Sequence, residues 1–356
     1  MKTKRWIYMF PLVLMLALTA SGCSLLPGGK PTEDLQPAIP SLSPVVEVSE
    51  DYYGSISPYS PNQTRGMLSG TGYRIDFSHL ELGLMEIARD TFPTTDYLFQ
   101  EGQLITRDQV KDWIAQEKAG APNSKRKTST LVHVLEHDYL SKDKQQLAGM
   151  VVGLSLTPLY QDATGQNKNY TLDELRAKGQ QLAAKIVQTI RANSTEVPIV
   201  VALYQVPEQN SSLVPGRFIM SGTVHANEAS VSKWQPIDEA FYLFPSSDVE
   251  KAYPQQSLQF NEKLKRRIQG AFNEFIGVTG VGRFMGGKLT EMTITAIAEY
   301  DSRTEVLQFT QFAAAAIDQA FDKNVHVNLY VQTINQPLAI YIRPANGDPY
   351  MHIYRK

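Results

Sequence analysis

Two histidines and a glutamate lie close together in the segment 133–137, which reads H-V-L-E-H. The order H-x-x-E-H is that of inverted zinc peptidases, in which both imidazoles bind one zinc from the same face of a helix and the glutamate acts as base. Here the apolar residues alternate, which predicts a strand instead of a helix. One face of that strand would carry Leu131, His133, Leu135 and His137. At about 3.3 Å per residue the two histidines would lie about 13 Å apart, too far to share a metal ion.

A glycine-rich segment, Gly280–Met285, begins like the dinucleotide fingerprint G-x-G-x-x-G but has no third glycine. The helical pattern before it and the strand pattern after it are in the wrong order, because a phosphate-binding loop needs a strand followed by a helix. Gly286 and Gly287 are predicted to form a tight turn. These observations disfavour nucleotide binding, and we expect no cofactor.

A polar segment, His225-Ala226-Asn227-Glu228, follows a predicted strand that ends at Val224. Loops often carry binding residues, so His225, Asn227 and Glu228 are candidate ligand contacts. Connectors between structural units are equally polar, and this alternative stays open.

The only cysteine in the chain, Cys23, stands at the end of an apolar leader. Three basic residues lie among the first five, an apolar run of about 15 residues follows, and small residues precede Cys23. This order predicts a bacterial lipoprotein signal peptide that is cleaved between Gly22 and Cys23, with lipid on the Cys23 sulfur. A plain secretory signal is one alternative. A membrane-spanning helix is another, although spanning takes about 20 residues.

The 356 residues include 34 basic and 36 acidic ones. The leader 1–22 holds three of the basic residues, so the remainder has 31 basic against 36 acidic residues and a net charge of −5. This balance argues against nucleic-acid binding, which needs a basic face. With Cys23 lipidated, no disulfide can form, and the folded part must be stabilised by its core.

The chain divides by composition into four parts. We expect a signal peptide at 1–22, a flexible tether rich in proline and glycine at 23–50, and folded regions at 51–230 and 231–356. Such a length is sufficient for two ordinary domains.

Two series of elements follow one order: helix, strand, helix, strand, strand. The first comprises 78–92, 149–156, 172–193, 199–206 and 217–224. The second comprises 261–276, 289–298, 303–321, 325–333 and 338–343. Capping boxes beginning at Thr106, Thr171 and Ser302 predict three of the helix starts. We predict an α+β fold of two diverged repeats with mainly antiparallel sheets, the first repeat carrying an insertion after Pro93.

The segment 97–106, Y-L-F-Q-E-G-Q-L-I-T, continues to Trp113. Together with the leader, the tether and the two-repeat body, it resembles the CamS-type sex-pheromone lipoproteins of Gram-positive bacteria. In that family the end of the signal peptide is released as a short apolar pheromone. The resemblance assigns that place here to Met15, Leu16, Ala17, Leu18, Thr19, Ala20 and Ser21. It implies no reaction for the folded part.

We therefore expect a lipoprotein on the outer face of the cell membrane, anchored through acyl chains such as palmitate on Cys23. Its expected partners are the membrane and the lipoprotein-processing enzymes, and the body is expected to be a non-catalytic binding or structural module. One alternative is an envelope hydrolase that uses two acids such as Glu136 and Asp138. Another is a solute-binding lipoprotein whose two lobes close about a hinge near residues 225–240.

Overall fold

The computed structural model describes residues 52–56, 58–67, 75–119, 129–162, 164–192, 196–207, 214–272, 276–300 and 302–355. All of them belong to one compact unit, residues 46–356. The predicted signal peptide, the cleavage site at Gly22 and Cys23, the segment Met15–Ser21 and the tether lie outside the described residues. Among the helices of the described ranges, none has the length and apolar character that crossing a bilayer requires.

Seven strands form the first sheet. Their bounds are β1 (Gly54–Ser55), β2 (Tyr97–Glu101), β3 (Leu131–Ser141), β4 (Leu147–Leu156), β7 (Ile199–Gln205), β8 (Arg217–Val224) and β9 (Lys233–Pro236), while β5 (Leu159–Gln161) and β6 (Asn167–Asn169) make a separate hairpin. The order in the sheet is β1-β2-β3-β4-β7-β8-β9. Strands β3, β4 and β7 are almost continuously buried, because helices cover both faces of the sheet.

Six strands form the second sheet, in sequence order. They are β10 (Glu239–Phe244), β11 (Gly277–Met285), β12 (Lys288–Ile297), β13 (His326–Gln332), β14 (Pro337–Arg343) and β15 (Tyr350–Ile353). Burial alternates along β11, β12 and β13, which is typical of a sheet with helices on one face only.

The helices supply the apolar faces that the sheets bury. They are α1 (Phe77–Ala88), α2 (Arg107–Ala119), α3 (Leu172–Ala192), α4 (Ser247–Ala252), α5 (Pro254–Leu258), a π-helical segment (Gln259–Lys265), α6 (Arg266–Ala271) and α7 (Arg303–Ala320). Helix α1 packs on one face of the first sheet through Leu80 and Leu84. Helices α2 and α3 pack on its other face through Trp113, Leu182 and Ile186. Each such buried side chain contributes about 1.5–3 kcal/mol.

The fold is α+β, as predicted, and both sheets are mixed. Pairs β1–β2, β4–β7 and β12–β13 are parallel, and the other described pairs are antiparallel. In each sheet two antiparallel strands are followed by a long helix. The strand after the helix pairs in parallel with the second of these strands, and the next strand pairs antiparallel with the strand after the helix. The series are β3-β4-α3-β7-β8 and β11-β12-α7-β13-β14.

Two predicted elements need correction. The glycine-rich residues 277–285 form strand β11, because Gly280 and Gly282 allow the side chains of Phe260 and Phe244 to approach the backbone closely. The predicted helix 261–276 is interrupted by the π-helical segment and ends at Ala271. Strand β2 ends at Glu101, and the following residues form a turn.

Candidate functional site

The H-x-x-E-H segment lies within strand β3, as predicted, and its histidines are buried. His133 packs edge-on against Phe77, and His137 packs edge-on against Phe99. Burial lowers the pKa of His133 to about 4 and that of His137 to about 3, so both imidazoles are neutral at physiological pH. Among the described residues, no group of three or more His, Cys, Asp or Glu side chains is arranged to hold a metal ion.

The predicted face of β3 is wrong at one position. A β-bulge between Leu131 and His133 inserts one extra residue, so Leu131 packs with α2 and α3 while Leu135 packs with α1. Val134, which alternation already places opposite Leu135, lies on the α2–α3 side together with Leu131. Alternation in the sequence cannot reveal a bulge, because the bulge shifts the side-chain period by one residue.

Glu136 and Asp138 share one face of β3 and lie beneath the turn that follows β2. The backbone N–H groups of Leu104 and Ile105 donate to Glu136 Oε2 at 3.0 Å and 2.7 Å. The N–H of Gln103 donates to Asp138 Oδ2 at 3.1 Å. Three successive amide groups therefore bind two carboxyl groups, in the manner of a backbone anion nest.

The pKa values of both acids lie above their ordinary values. Burial, followed by the neighbouring charge of Glu136, raises the pKa of Asp138 to about 9. Burial also raises the pKa of Glu136, which the N–H of Ile105 partly offsets. Both side chains are at most 3% exposed, so the pair is sealed from substrate. The arrangement stabilises the turn at residues 102–105.

The predicted ligand loop at His225, Asn227 and Glu228 is exposed. Its backbone is held from α3: Arg191 donates to the carbonyl oxygens of His225 and Glu228, at 3.0 Å and 2.6 Å. Asn227 has a φ of 63°, and its N–H donates to the carbonyl oxygen of Glu196 at 3.1 Å. These contacts fix the loop as a turn, and they use its backbone atoms.

A groove between α2 and α3 is a candidate ligand-binding cavity. Its volume is about 680 Å³, within the range of small-ligand sites of about 300–1,000 Å³. The floor is apolar and consists of Trp113, Leu131, Leu182 and Ile186. The walls are mainly amides and hydroxyls, from Gln109, Gln116, Gln181, Gln188 and Thr189.

Four charged residues also line the groove. Lys178 Nζ lies 3.3 Å from Glu117 Oε1, and Glu117 also accepts hydrogen bonds from Ser129 and Thr130. Asp112 on α2 and Lys185 on α3 take part in none of the ion pairs found among the described residues. The groove therefore offers one carboxylate and one ammonium group, on opposite walls.

The sequence analysis missed this groove, although a signal was present. The lining residues of α2 follow helical spacing, at 109, 112, 113, 116 and 117. They mix apolar, amide and charged types, so they read as an ordinary partly exposed helix face. The sequence does not show that α3 lies beside this face at a distance that leaves space between the helices.

The junction between the two sheets contains a buried carboxylate, Glu239 on β10. It accepts from Phe218 N and Arg283 Nε, each at 2.7 Å, and lies 3.4 Å from His79 Nε2. Arg283 also contacts Glu86 on α1, at 2.7 Å. Burial would raise the pKa of Glu239, but the hydrogen bond and charge of His79 and the charge of Arg283 lower it overall.

The connector between the sheets is only two residues long, Ile237 and Asp238. Arg176 on α3 donates to the carbonyl oxygens of Ile219 and Ile237, at 3.1 Å and 3.4 Å. The N–H of Ile237 donates to Ile219 at 3.0 Å, and the carbonyl oxygen of Asp238 accepts from Gly286 at 2.9 Å. A hinge at this place would have to break these bonds.

The comparisons with known proteins agree with one another. Among solved structures, the sex pheromone precursor from Lactobacillus salivarius subsp. salivarius UCC118 has a TM-score of 0.75 and 22% identity, over 86% of this chain and 97% of that one. The C-terminal domain of the sex pheromone staph-cAM373 precursor from Staphylococcus aureus has a TM-score of 0.66 and 22% identity, over 78% of this chain and 96% of that one. At such identities the likeness supports the fold alone.

No protein with a curated description matches the chain by sequence. A family model described as the CamS sex pheromone cAM373 precursor matches residues 59–349, most of the chain. That range includes the segment from Tyr97 to Trp113 on which the sequence resemblance was based, and the resemblance is confirmed. The chain belongs to the CamS sex pheromone cAM373 precursor family.

Proposed function

We propose that this protein is a lipoprotein precursor of the cell surface, anchored on the outer face of the membrane by lipid on Cys23. Cleavage between Gly22 and Cys23 would separate the leader, whose end, Met15–Ser21, would then be released as a short peptide. Support comes from the leader pattern and from membership of a pheromone-precursor family. Two acyl chains on the lipid give stable anchoring, whereas a single chain binds reversibly. The partners would be the membrane and the processing enzymes.

We further propose that the folded body is a non-catalytic module that binds a small extracellular ligand in the α2–α3 groove. The observation that carries this proposal is the form of the groove: about 680 Å³, with an apolar floor and walls of amide groups. Such a combination buries an apolar ligand surface and still offers directional hydrogen bonds.

The hydrolase alternative is weaker. A general acid must come within hydrogen-bond reach of the bond it protonates. Glu136 and Asp138 are 0% and 3% exposed and lie under the turn at 102–105, so a substrate would have to unfold that turn first.

The solute-binding alternative is also weaker. Closure of two lobes needs a few residues that absorb a large change in φ and ψ. The connector Ile237–Asp238 is held on both sides by backbone hydrogen bonds, and Arg283 joins Glu239 to Glu86 across the junction.

We infer that the body arose by duplication of one α+β unit, with halves at 51–230 and 231–356. The shared order of pairings, β3-β4-α3-β7-β8 and β11-β12-α7-β13-β14, supports this inference. Strands β2 and β10 also correspond, because each pairs antiparallel with the next strand of its sheet, β3 or β11. Helix α2 and the helices at 247–271 occupy the same place in the two halves, between these strands.

A ligand screen with a groove-filling variant tests the binding proposal. The variant Gln116→Phe/Gln181→Phe places rings on two exposed wall positions, from which they can cover the apolar floor. A bound ligand should raise the melting temperature of the wild type across a panel of sugars, short peptides and ions, and should not raise that of the variant. The control is Ala184→Phe, at an exposed position of α3 outside the groove. Equal stabilisation of wild type and groove variant would contradict the proposal.

A further inference from the structure

The face of the second sheet that points away from α7 carries two rows of side chains across the strands. Residues that pair directly between neighbouring strands point to the same face. The register therefore aligns a first row of Leu243, Val281, Thr293, Asn328, Ile342 and Tyr350. The second row is Thr279, Thr295, Tyr330, Ile340 and His352. The residues between them, such as Ile294 and Leu329, belong to the core that α7 covers.

These two rows, which we call the uncharged face, contain no Lys, Arg, Asp or Glu. The nearest charged pair across the strands, Arg283 and Glu291, lies in the next row. Arg283 is already bound to Glu239 and Glu86. A charged ligand on the uncharged face would lose water without gaining a counter-ion, so the face favours a neutral ligand.

Aromatic rings are exposed at one end of the uncharged face, on β13 and β15. Tyr330 is 42% exposed and Tyr350 is 58% exposed. They lie two strands and one row apart, which is about 12 Å at a strand spacing of about 4.8 Å and about 3.4 Å per residue. His352 packs edge-on against Tyr354, with ring centroids 5.2 Å apart. Such rings offer flat apolar surfaces with a polar group at the rim.

Hydroxyl groups occupy the other end of the uncharged face. Thr279 lies on β11, and Thr293 and Thr295 lie on β12. Each hydroxyl group can donate one hydrogen bond and accept others. The face therefore combines aromatic contact with hydrogen bonding that does not require a charge.

The size of the uncharged face argues against a second protein as its partner. Six strands are about 29 Å wide and two rows are about 14 Å long, which gives about 400 Å². A stable protein interface buries about 800 Å² on each partner. An extended peptide binds a sheet at its edge, because the backbone groups within the sheet are already paired. A narrow linear ligand that is recognised through side chains fits this face better.

We propose that the uncharged face binds a neutral oligosaccharide whose chain lies across strands β11 to β15, along the row from Thr279 to His352. The rings of Tyr330 and Tyr350 cover the apolar C–H surfaces of sugar units, and the threonine hydroxyls exchange hydrogen bonds with sugar hydroxyls. This site is independent of the α2–α3 groove, which lies between helices of the first sheet.

Isothermal titration calorimetry of the full chain in lipid nanodiscs tests the proposal, with cellohexaose and chitohexaose as neutral probes. We expect the wild type to bind at least one of them with saturation. Tyr330→Ala/Tyr350→Ala should weaken this binding by about tenfold or more, the combined effect of two aromatic contacts. The matched control is Tyr52→Ala, which removes a tyrosine that is 52% exposed and lies outside the second sheet.

Two further comparisons test the chemistry of recognition. Tyr330→Phe keeps the ring and should bind like the wild type. Hexagalacturonate carries a carboxylate on each unit and should bind more weakly than the neutral probes, because the two rows contain no cation to pair with it.

Binding that Tyr330→Ala/Tyr350→Ala weakens, and that Tyr52→Ala and Gln116→Phe/Gln181→Phe leave unchanged, would support the inference. It would be overturned if neither neutral probe bound, if the double tyrosine variant bound like the wild type, or if the groove-filling variant lost the binding. Tighter binding of an uncharged hexapeptide, or a wild-type dimer in sedimentation that the double tyrosine variant abolishes, would assign the face to another occupant and would also overturn it.

Discussion

At the scale of single residues, strand β3 carries two histidines and two acids in its interior, and the imidazoles and Asp138 are uncharged at neutral pH. The neutral imidazoles of His133 and His137 pack edge-on against phenylalanine rings. Glu136 and Asp138 face the nest formed by residues 103–105. Isolated buried charges would cost several kcal/mol, so Asp138 keeps its proton and both histidines stay neutral.

The histidines and Asp138 change the stability of the protein with pH in opposite directions. The folded pKa values of His133 and His137, about 4 and 3, lie below the ordinary 6.5. As the pH falls below 6.5, the unfolded chain therefore takes up protons first and stability is lost. For Asp138 the dependence of stability on pH has the opposite sign, because its folded pKa is raised from 3.8 to about 9.

Replacing Asp138 by asparagine should flatten the alkaline part of this dependence. Between pH 4 and 9 the folded wild type holds a proton that the unfolded chain has lost, so its stability falls as the pH rises through about 9. Asparagine keeps a hydrogen-bond donor beside Glu136 and has no proton to lose. Urea unfolding near pH 6 and near pH 9 should show a loss of stability in the wild type and a smaller loss in Asp138→Asn.

The exposed Asp348→Asn is the matched control for this measurement, and it should keep the wild-type slope. If Asp138→Asn kept that slope as well, the pair would not hold the proton assigned to it.

At the scale of elements, the segment 97–106 acts as a strand followed by a carboxylate-binding turn. Gly102 lies directly on Glu136, so a Cβ at this position would overlap the Glu136 side chain. The Gly102 N–H also donates to the carbonyl oxygen of Glu136 at 3.0 Å, which prevents the turn from moving away. The turn then leads into α2, where Thr106 and Gln109 form a reciprocal cap.

Substituting alanine for Gly102 should destabilise the protein by about 1–3 kcal/mol, the usual cost of overpacking a buried site. Thermal and urea unfolding measure the loss. Gly270→Ala provides the control, since a Cβ there has no neighbour within 4 Å and alanine favours the helix α6 by up to about 1 kcal/mol. Equal stability of Gly102→Ala and the wild type would mean that the turn is not fixed by Glu136.

The elements that the sequence predicted well are those with local signals. Capping boxes at Thr171 and Ser302 mark α3 and α7, and both hydroxyls accept the expected N–H. The predicted helix 78–92 begins one residue earlier, at Phe77, because Asp76 caps it. The bulge in β3, the π-helical segment and strand β11 were missed because each depends on packing between distant residues. The groove was missed for the same reason.

At the scale of the whole molecule, the body consists of two sheets joined by a short connector and a charged cluster. Glu239 receives hydrogen bonds from two elements and lies beside His79 of a third. No local pattern indicates this cluster, because its members come from four separate parts of the chain. Without knowledge of this cluster, the sequence analysis allowed a hinge near residues 225–240.

Arg283→Met should weaken the coupling between the two sheets. It removes the cation beside Glu239, whose side chain is 0% exposed, and breaking such a buried pair costs about 3–5 kcal/mol. We expect a loss near the lower bound, because Arg283 is itself 16% exposed. Native-state hydrogen exchange should show faster exchange in β8 and β10 than in the wild type.

Glu86→Gln removes the outer partner of the same arginine and should cost at most about 1 kcal/mol, because Glu86 is 40% exposed. If both variants exchanged alike, the buried Glu239 contact would not be what couples the sheets.

The central claim concerns the two products of leader cleavage, the lipidated body and the released peptide, and mass spectrometry of the membrane fraction and the culture medium tests it most directly. In the wild type we expect a lipidated Cys23 at the N-terminus of the membrane-bound body and a free peptide ending at Ser21 in the medium. Cys23→Ala should abolish both, because processing of a lipoprotein leader requires the lipidated cysteine. An unlipidated wild-type protein released into the medium would contradict the account.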